Sequence, residues 1–157
     1  ENGQLQVKGV MRGGEPDGPY ERYDEHGRMQ ERGTMSDGKR EGHREVYYEN
    51  GQLQTKRTYV AGELDGPFER YYETGQLQGR GVNRGGKFDG HLEEYYENGQ
   101  LKTKSAYRDG KLDGYWEEYY ENGQLKTKGV YMGGEKDGHW EEYYENGQLK
   151  LRRTYHR

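Results

Sequence analysis

The spacing of three histidines suggests metal binding, because they recur at a fixed interval. His43, His91 and His139 are each 48 residues apart, and imidazole is a common ligand of zinc. If 48 residues form four strands of a sheet, successive histidines of the series lie about 19 Å apart. That distance is far too long for a shared ion. We therefore expect no metal site and interpret the three histidines as solvated strand residues.

Carboxylates are abundant, but their pattern is not typical of a catalytic or calcium-binding site. Asp and Glu total 29. The turn 135–138 lacks the dense alternating acids of a calcium loop, and no carboxylate pair stands apart from the repeated ones, as a glycosidase requires. There is no cysteine, no serine nucleophile motif and no phosphate-binding loop. We predict that the protein is not an enzyme and has no cofactor.

The charge and hydropathy of the chain argue against several classes of partner. The 157 residues carry a net charge of -4, whereas nucleic acids and anionic lipid surfaces attract basic proteins. We expect no nucleic-acid partner and consider a membrane partner unfavoured. No run approaches the roughly 18 apolar residues of a transmembrane helix, and no signal peptide is evident. The compartment stays open, as does whether residues precede Glu1.

A 24-residue repeat organises the whole chain. Three series of glycines keep this period without exception. The series are Gly3, Gly27, Gly51, Gly75, Gly99, Gly123 and Gly147; Gly14, Gly38, Gly62, Gly86, Gly110 and Gly134; and Gly18, Gly42, Gly66, Gly90, Gly114 and Gly138. We describe residues 1–157 as a single repeat array. Its units are 1–24, 25–48, 49–72, 73–96, 97–120 and 121–144, followed by the partial unit 145–157.

Each unit is predicted to contain two strands and two turns. Both central residues of a type I′ turn need positive φ, which Asn and Gly tolerate best, so we predict such a turn at Asn122-Gly123. A second turn is centred on Gly110, and Asp113-Gly114 then marks a bend or bulge. Short turns make neighbouring strands antiparallel. We predict an all-β fold, an elongated, twisted single-layer antiparallel β-meander of about 13 strands built from 24-residue hairpin repeats.

The charged residues test the register of these hairpins. Around Asn122-Gly123, the predicted cross-strand pairs are Tyr120–Leu125, Glu117–Lys128 and Trp116–Gly129. The pairs equivalent to Glu117–Lys128 are Glu21–Arg32, Glu45–Lys56, Glu69–Arg80, Glu93–Lys104 and Glu141–Arg152. Acid opposes base in all six, which disfavours slipped registers. Bulky residues oppose glycine at Tyr20–Gly33, Phe68–Gly81 and Trp116–Gly129, and we expect each ring to cover its glycine. Trp140, opposite Arg153, departs from this pattern.

Alternation along the strands separates an aromatic face, which carries Trp116, from a charged face, which carries Glu117. The candidate partner-binding residues of the aromatic face are Tyr20, Phe68, Trp116, Trp140, Tyr72, Tyr96, Tyr120 and Tyr144. A second candidate is the tyrosine row of the charged face, Tyr71, Tyr95, Tyr119 and Tyr143. Two interpretations of the rings stay open: they form the thin core by covering glycines, or they form an exposed binding platform. The tyrosine row either spaces the ion pairs or forms a contact surface.

The repeat resembles a known family. The segment Asp113-Gly114-Tyr115-Trp116-Glu117-Glu118-Tyr119-Tyr120-Glu121-Asn122-Gly123-Gln124-Leu125 is similar to the variant MORN repeat of bacterial proteins, and the similarity recurs over essentially the whole chain. The resemblance implies a bacterial β-hairpin scaffold that binds another protein. Through the YwqK-like group, it implies more narrowly an antitoxin whose partner is a toxin. Unit 25–48 departs most from the pattern, with His26, Glu41 and Arg44 in place of Asn, Asp and an aromatic residue.

Two further functions and the association state stay open. The aromatic rhythm of the repeat also resembles carbohydrate-binding cell-wall modules. The near-identity of units 97–120 and 121–144 fits a structural fibre or an engineered consensus repeat protein. An open meander leaves two unpaired edge strands, which invite pairing with other chains. The two edge strands hold the same position in the repeat, so we expect a monomer or an edge-paired dimer rather than a seamless polymer.

Overall fold

The computed structural model describes residues 6–156, so Gly3 of the first glycine series lies outside it. The fold is all-β, as predicted, with seventeen strands and no helix among the described residues. The strands are β1 (Val7–Lys8), β2 (Met11–Arg12), β3 (Glu15–Pro16), β4 (Gly18–Tyr23), β5 (Met29–Ser36), β6 (Lys39–Tyr47), β7 (Leu53–Val60), β8 (Glu63–Leu64), β9 (Gly66–Tyr71), β10 (Leu77–Arg84), β11 (Lys87–Phe88), β12 (Gly90–Tyr95), β13 (Leu101–Arg108), β14 (Lys111–Tyr119), β15 (Leu125–Met132), β16 (Glu135–Tyr143) and β17 (Leu149–Tyr155).

Thirteen of these strands form one continuous antiparallel meander. Its order is β1-β4-β5-β6-β7-β9-β10-β12-β13-β14-β15-β16-β17. The short strands β8 and β11 pair with β7 and β10, and β2 pairs with β3 in a separate two-stranded hairpin. The strand order is linear and ends at β1 and β17, so the sheet does not close into a barrel. The predicted meander of about 13 strands is confirmed.

The central register of every hairpin is the predicted one. Glu117 opposes Lys128, and Trp116 opposes Gly129. The five equivalent acid–base pairs also oppose each other directly. Because successive strand residues point to opposite faces, Trp116 and Glu117 lie on different faces, as alternation predicts.

The type I′ turn of each unit is not the turn for which that type was predicted. The type I′ turn lies at Asp109-Gly110, where φ is 49° and 80° and Arg108 pairs with Lys111. At Asn122-Gly123 only the glycine has positive φ. The Gly123 amide donates to the Tyr120 carbonyl at 2.9 Å, and the Tyr120 amide donates to the Gln124 carbonyl at 2.8 Å. These bonds close a three-residue loop with a left-handed glycine at its end, a common alternative hairpin connection.

The longer loop corrects one predicted pair without disturbing the rest. Leu125 opposes Tyr119, not Tyr120, and the register shifts again before Thr127 opposes Glu118. Lys126 is therefore the extra residue of a bulge. The loop adds one residue on one side of the hairpin and the bulge compensates for it, so the pairs beyond Lys126 are those expected for a two-residue turn. The bulge expected near Gly114 is present, since the register shifts between Ser105 and Tyr107.

The hydrophobic core is thin. Its buried members among the described residues are Tyr59, Phe68, Leu92 and Trp140. Tyr20 covers Gly33 and Phe68 covers Gly81, as predicted.

The ring that lies closest to Gly129 belongs to Trp140 and not, as predicted, to Trp116. A Cβ built on Gly129 would lie 2.2 Å from Cδ2 of Trp140, a residue of the neighbouring strand β16. The Trp140 indole donates to the Val130 carbonyl at 3.1 Å, and Lys136 Nζ lies 4.3 Å from the centre of its ring. These contacts hold Trp140 over β15, while Trp116 is half-buried.

Candidate partner-binding site

Three of the candidate tyrosines on the aromatic face link successive units. The hydroxyls of Tyr72, Tyr96 and Tyr120 each donate to a backbone carbonyl 23 residues further along the chain, at 2.7–2.8 Å. Tyr144 has no such partner among the described residues, and it is 50% exposed. Three members of this tyrosine set are therefore committed to holding the array together.

The turns add two further bonds between units. Within its own turn, the Asn122 side chain accepts a hydrogen bond from the Gln124 amide at 2.9 Å. It also donates to the Glu145 carbonyl of the next unit at 3.0 Å. At the opposite end of the strands, the Gly110 amide donates to the Phe88 carbonyl at 2.8 Å. Asparagine thus serves this turn through its side-chain amide rather than through positive φ.

The tyrosine row of the charged face bonds to the acid–base ladder. Each of Tyr71, Tyr95, Tyr119 and Tyr143 donates its hydroxyl to the glutamate two residues earlier. Burial, and next the bond to Glu117, raise the pKa of Tyr119 to about 12. The bonds from Tyr143, Arg152 and Lys128 lower the pKa of Glu141 to about 2. These hydroxyls order the charged face, which favours the interpretation that the row spaces the ion pairs.

The aromatic row differs between the two ends of the sheet. Toward the C-terminal end the rings touch one another: Trp116 meets Tyr131 edge-on with 6.0 Å between ring centres, and Tyr131 meets Trp140 edge-on at 5.0 Å. In the middle, Phe68 and Phe88 lie 5.7 Å apart, and Phe88 is 40% exposed. Tyr20 is half-buried and meets a charged group instead of another ring.

That charged group belongs to a buried ion cluster, which we call the Glu31 cluster: Glu31, Tyr20, Arg22, Arg40 and Arg44. Glu31 is 2% exposed and accepts from the Tyr20 hydroxyl and Arg44 Nε, both at 2.6 Å. Arg22 also donates to Glu31, and Arg40 Nη2 lies 3.7 Å from the same carboxylate. Burial by itself raises the pKa of Glu31, but the bonds from Arg44 and Tyr20 outweigh it and lower that pKa to about 2. Three arginines thus share one carboxylate.

A cleft opens beside this cluster, and we call it the N-terminal cleft. It measures about 310 Å³. Its polar wall consists of Tyr20, Arg22, Glu31 and Arg40. Its apolar wall includes Val7, Val10, Met11, Pro16 and Met35. Three of the apolar residues, Val7, Val10 and Met11, are more than half exposed. The cleft can accept an apolar side chain from another molecule next to a charged one.

The repeats themselves match a family model described as the MORN repeat variant. The matched segments are residues 40–61, 64–82, 88–111, 112–132 and 136–157. Their starting points are 24 residues apart, which is the period of the glycine series, and they cover more than half of the chain. The chain belongs to the MORN repeat variant family. No curated protein was found to match it.

The MORN repeat variant units match the regular part of the chain and only part of the Glu31 cluster. Glu31 precedes the first matched segment, whereas Arg44 lies within it. At the position of Glu31 the other units carry an uncharged residue: Val7, Thr55, Gly79, Thr103, Thr127 or Leu151. At the position of Arg44 most carry a large apolar residue. Arg44 was recognised from the sequence as a departure from the repeat, whereas Glu31 was not. Aligning the units column by column exposes this paired substitution.

The described residues contain no group of three or more side chains able to hold a metal ion. His43 approaches Thr58, His139 approaches Thr154, and His91 stacks on Tyr115. No helix in residues 6–156 could span a membrane.

Proposed function

We propose that this MORN repeat variant protein is a non-catalytic scaffold that binds a partner protein through its aromatic face. The observation that carries the proposal is the N-terminal cleft, which combines exposed apolar residues with a polar wall. Apolar and aromatic surface of this kind is typical of the centre of protein interfaces.

The difference between the two faces supports this choice. On the charged face, the tyrosine hydroxyls bond to Glu residues such as Glu93 and Glu141, and basic residues of the neighbouring strand pair with the same carboxylates. On the aromatic face, Phe88 stays 40% exposed, and Tyr20 and Trp116 stay partly exposed. A partner protein therefore gains more binding free energy by covering the exposed apolar surface of the aromatic face. A toxin is one such partner, and the resemblance to the antitoxin group is what suggests it.

Site-specific photo-crosslinking tests the proposal. A benzophenone amino acid is placed at Tyr20 or Trp116 on the aromatic face, and at Tyr119 on the charged face as a matched control. Each protein is exposed to an extract of its own source cells and irradiated. Adducts are then identified by mass spectrometry.

The proposal expects one protein to be captured in common by the positions on the aromatic face and not by the control. Capture of a protein from the Tyr119 position alone would overturn the proposal. Binding of immobilised polysaccharide that Trp116→Ala abolishes, with no protein adduct, would also overturn it in favour of carbohydrate recognition.

A further inference from the structure

Two arginines oppose each other on the aromatic face. Arg44 of β6 and Arg57 of β7 are direct cross-strand partners, so their Cβ atoms lie about 4.5–5.5 Å apart. Both side chains are half-buried. Like charges directly opposite each other destabilise a sheet. This arrangement replaces the pair of ring and glycine found, for example, at Phe68 and Gly81.

Nearby acids do not neutralise the pair. Arg44 shares Glu31 with Arg22 and Arg40. Arg57 has no ion pair with any residue in 6–156. One strand further on, Arg70 is the cross-strand partner of Thr55, which places it diagonally from Arg57. Arg70 Nε is buried without a hydrogen-bond partner, and its Nη2 lies 3.6 Å from a Glu94 carboxylate oxygen.

These guanidinium groups have unused donors that point to an anionic ligand. A guanidinium has five N–H donors in a planar fork that matches a carboxylate. A carboxylate seated between Arg44 and Arg57 would accept from both forks and remove their mutual repulsion. Arg22, Glu31 and Arg40 line the N-terminal cleft and form the Glu31 cluster together with Arg44, so an apolar side chain of the same ligand can bind in the cleft.

We infer that the Arg44–Arg57 pair is a recognition site for an acidic segment of the partner protein, one that carries carboxylate and apolar side chains. The inference rests on the proposed function, because it assigns a chemistry to the partner of the aromatic face. Nucleic acid and membrane fit less well. Their affinity for proteins grows with many dispersed cationic contacts, whereas the whole chain carries a net charge of -4 and Arg44, Arg57 and Arg70 lie together on three neighbouring strands.

The probe is a peptide of eight glutamates. Its binding is measured by calorimetry and by changes in the side-chain Nε–Hε signals of the arginines in NMR spectra. Arg57→Gln removes the unpaired guanidinium and is expected to weaken binding about ten-fold, the loss of one charged hydrogen-bonding group. Arg153→Gln is the matched control, because Arg153 holds the same repeat position in β17 but opposes Trp140. It should change binding less than two-fold, about 0.4 kcal/mol or less. Arg70→Gln is a second variant, expected to weaken binding by a smaller factor than Arg57→Gln.

Circular dichroism and thermal unfolding establish that each variant is folded before binding is measured. Equal losses in Arg57→Gln and Arg153→Gln would overturn the inference, because they would mark a diffuse charge effect. Tighter binding to vesicles containing phosphatidylserine than to octaglutamate would overturn it in favour of a membrane. Displacement of the peptide by millimolar inorganic phosphate would reduce the site to a general anion site and would also count against it.

The two hypotheses fail in different ways. If the photo-crosslinked partner binds Arg57→Gln as tightly as the unchanged protein, the acidic-segment inference fails while the proposed function stands. If crosslinking occurs only from Tyr119, the proposed function fails whatever octaglutamate does.

Discussion

The N-terminal and C-terminal ends of the aromatic face solve the same packing problem in different ways. Around β15 and β16, the Trp140 ring lies on Gly129 and meets Tyr131 edge-on. Around β5 and β6, the positions equivalent to Trp140 and Gly129 carry Arg44 and Gly33, and Arg44 bonds to the buried Glu31. The backbone pairing is the same at both ends. The repeat therefore fixes strand pairing through its turns and its charged face, and the aromatic face is free to vary.

The energetic consequences of the two solutions differ. Ring packing on glycine removes apolar surface from water, a gain that does not require any side chain to be ionised. A buried ion cluster must repay the desolvation of its charges and contributes little net stability, although breaking it is costly. The C-terminal end therefore gains more stability from its packing, while the N-terminal end retains charged groups and an open cleft.

Trp140→Ala tests the ring-packed end and should have the largest effect. Trp140 is 4% exposed, and truncating a buried tryptophan costs about 3–5 kcal/mol of unfolding free energy. Urea denaturation measures the loss. Trp116→Ala is the control and should cost clearly less, because Trp116 is half-buried. Equal losses would show that the two tryptophans pack alike, and would contradict the special role given to Trp140 at the C-terminal end.

Glu31→Ala tests the ion-paired end and is expected to cost about 3 kcal/mol, because removing one partner of a buried pair leaves the other charge uncompensated. The value lies at the low end of that range because the Arg22 and Arg40 side chains are about half exposed, at 52% and 44%, and can be hydrated. Chemical denaturation again gives the number. Glu21→Ala, on the charged face, is the control and should cost below about 1 kcal/mol. A loss at Glu31 no larger than that at Glu21 would contradict a buried cluster.

Gly129→Ala asks how tightly the ring lies on its glycine. The new Cβ would fall 2.2 Å from the Trp140 ring, so the ring must move, at a cost of about 1–3 kcal/mol. Gly33→Ala is the counterpart at the other end, where the nearest atoms belong to the edge of Tyr20 at 3.0 Å. Thermal unfolding should show a smaller loss for Gly33→Ala. The reverse order would mean that the N-terminal end is the more tightly packed.

Acid should remove the contribution of the Glu31 cluster to stability. The folded-state pKa of Glu31 lies at about 2, below its ordinary value of 4.5. Its contribution is therefore complete above pH 4.5 and is lost as the pH falls through about 2. The difference in unfolding free energy between the unchanged protein and Glu31→Gln should shrink over that interval. The loss of unfolding free energy caused by acid should be smaller than the loss caused by Glu31→Ala, since a protonated Glu31 still accepts hydrogen bonds. A constant difference would contradict the lowered pKa.

Arg57→Gln should have the smallest effect on stability, and its sign should be opposite to that of the others. Removing one of two directly opposed like charges is expected to raise the unfolding free energy by about 0.2–1 kcal/mol. Arg153→Gln serves again as the control and should leave stability nearly unchanged. Together with weaker binding of octaglutamate, a gain in stability would indicate that Arg57 is retained for recognition at the expense of the fold. A loss of stability would indicate a structural role instead.

Much of this architecture was determined by local sequence. The 24-residue glycine series and the six acid–base pairs led to the correct meander and the correct central register, because cross-strand pairing depends on turn spacing and on direct neighbours. The type I′ turn was predicted at the wrong place. Positive φ was expected at Asn122, whereas the asparagine side chain instead bonds to Glu145 of the next unit, a contact that the sequence of a single turn does not reveal.

Tertiary structure decided the use of individual side chains. Alternation placed Trp116 and Trp140 on the right face, but the direction in which each ring leans depends on contacts with adjacent strands, such as the Trp140 bond to Val130. Glu31 and Arg44 are 13 residues apart, and their bond could be anticipated only after the register was known. The sequence by itself determined which strands pair and which residues share a face, because those relations are local and periodic. Only the tertiary structure decided which groups are buried together, because burial depends on neighbours from several strands at once.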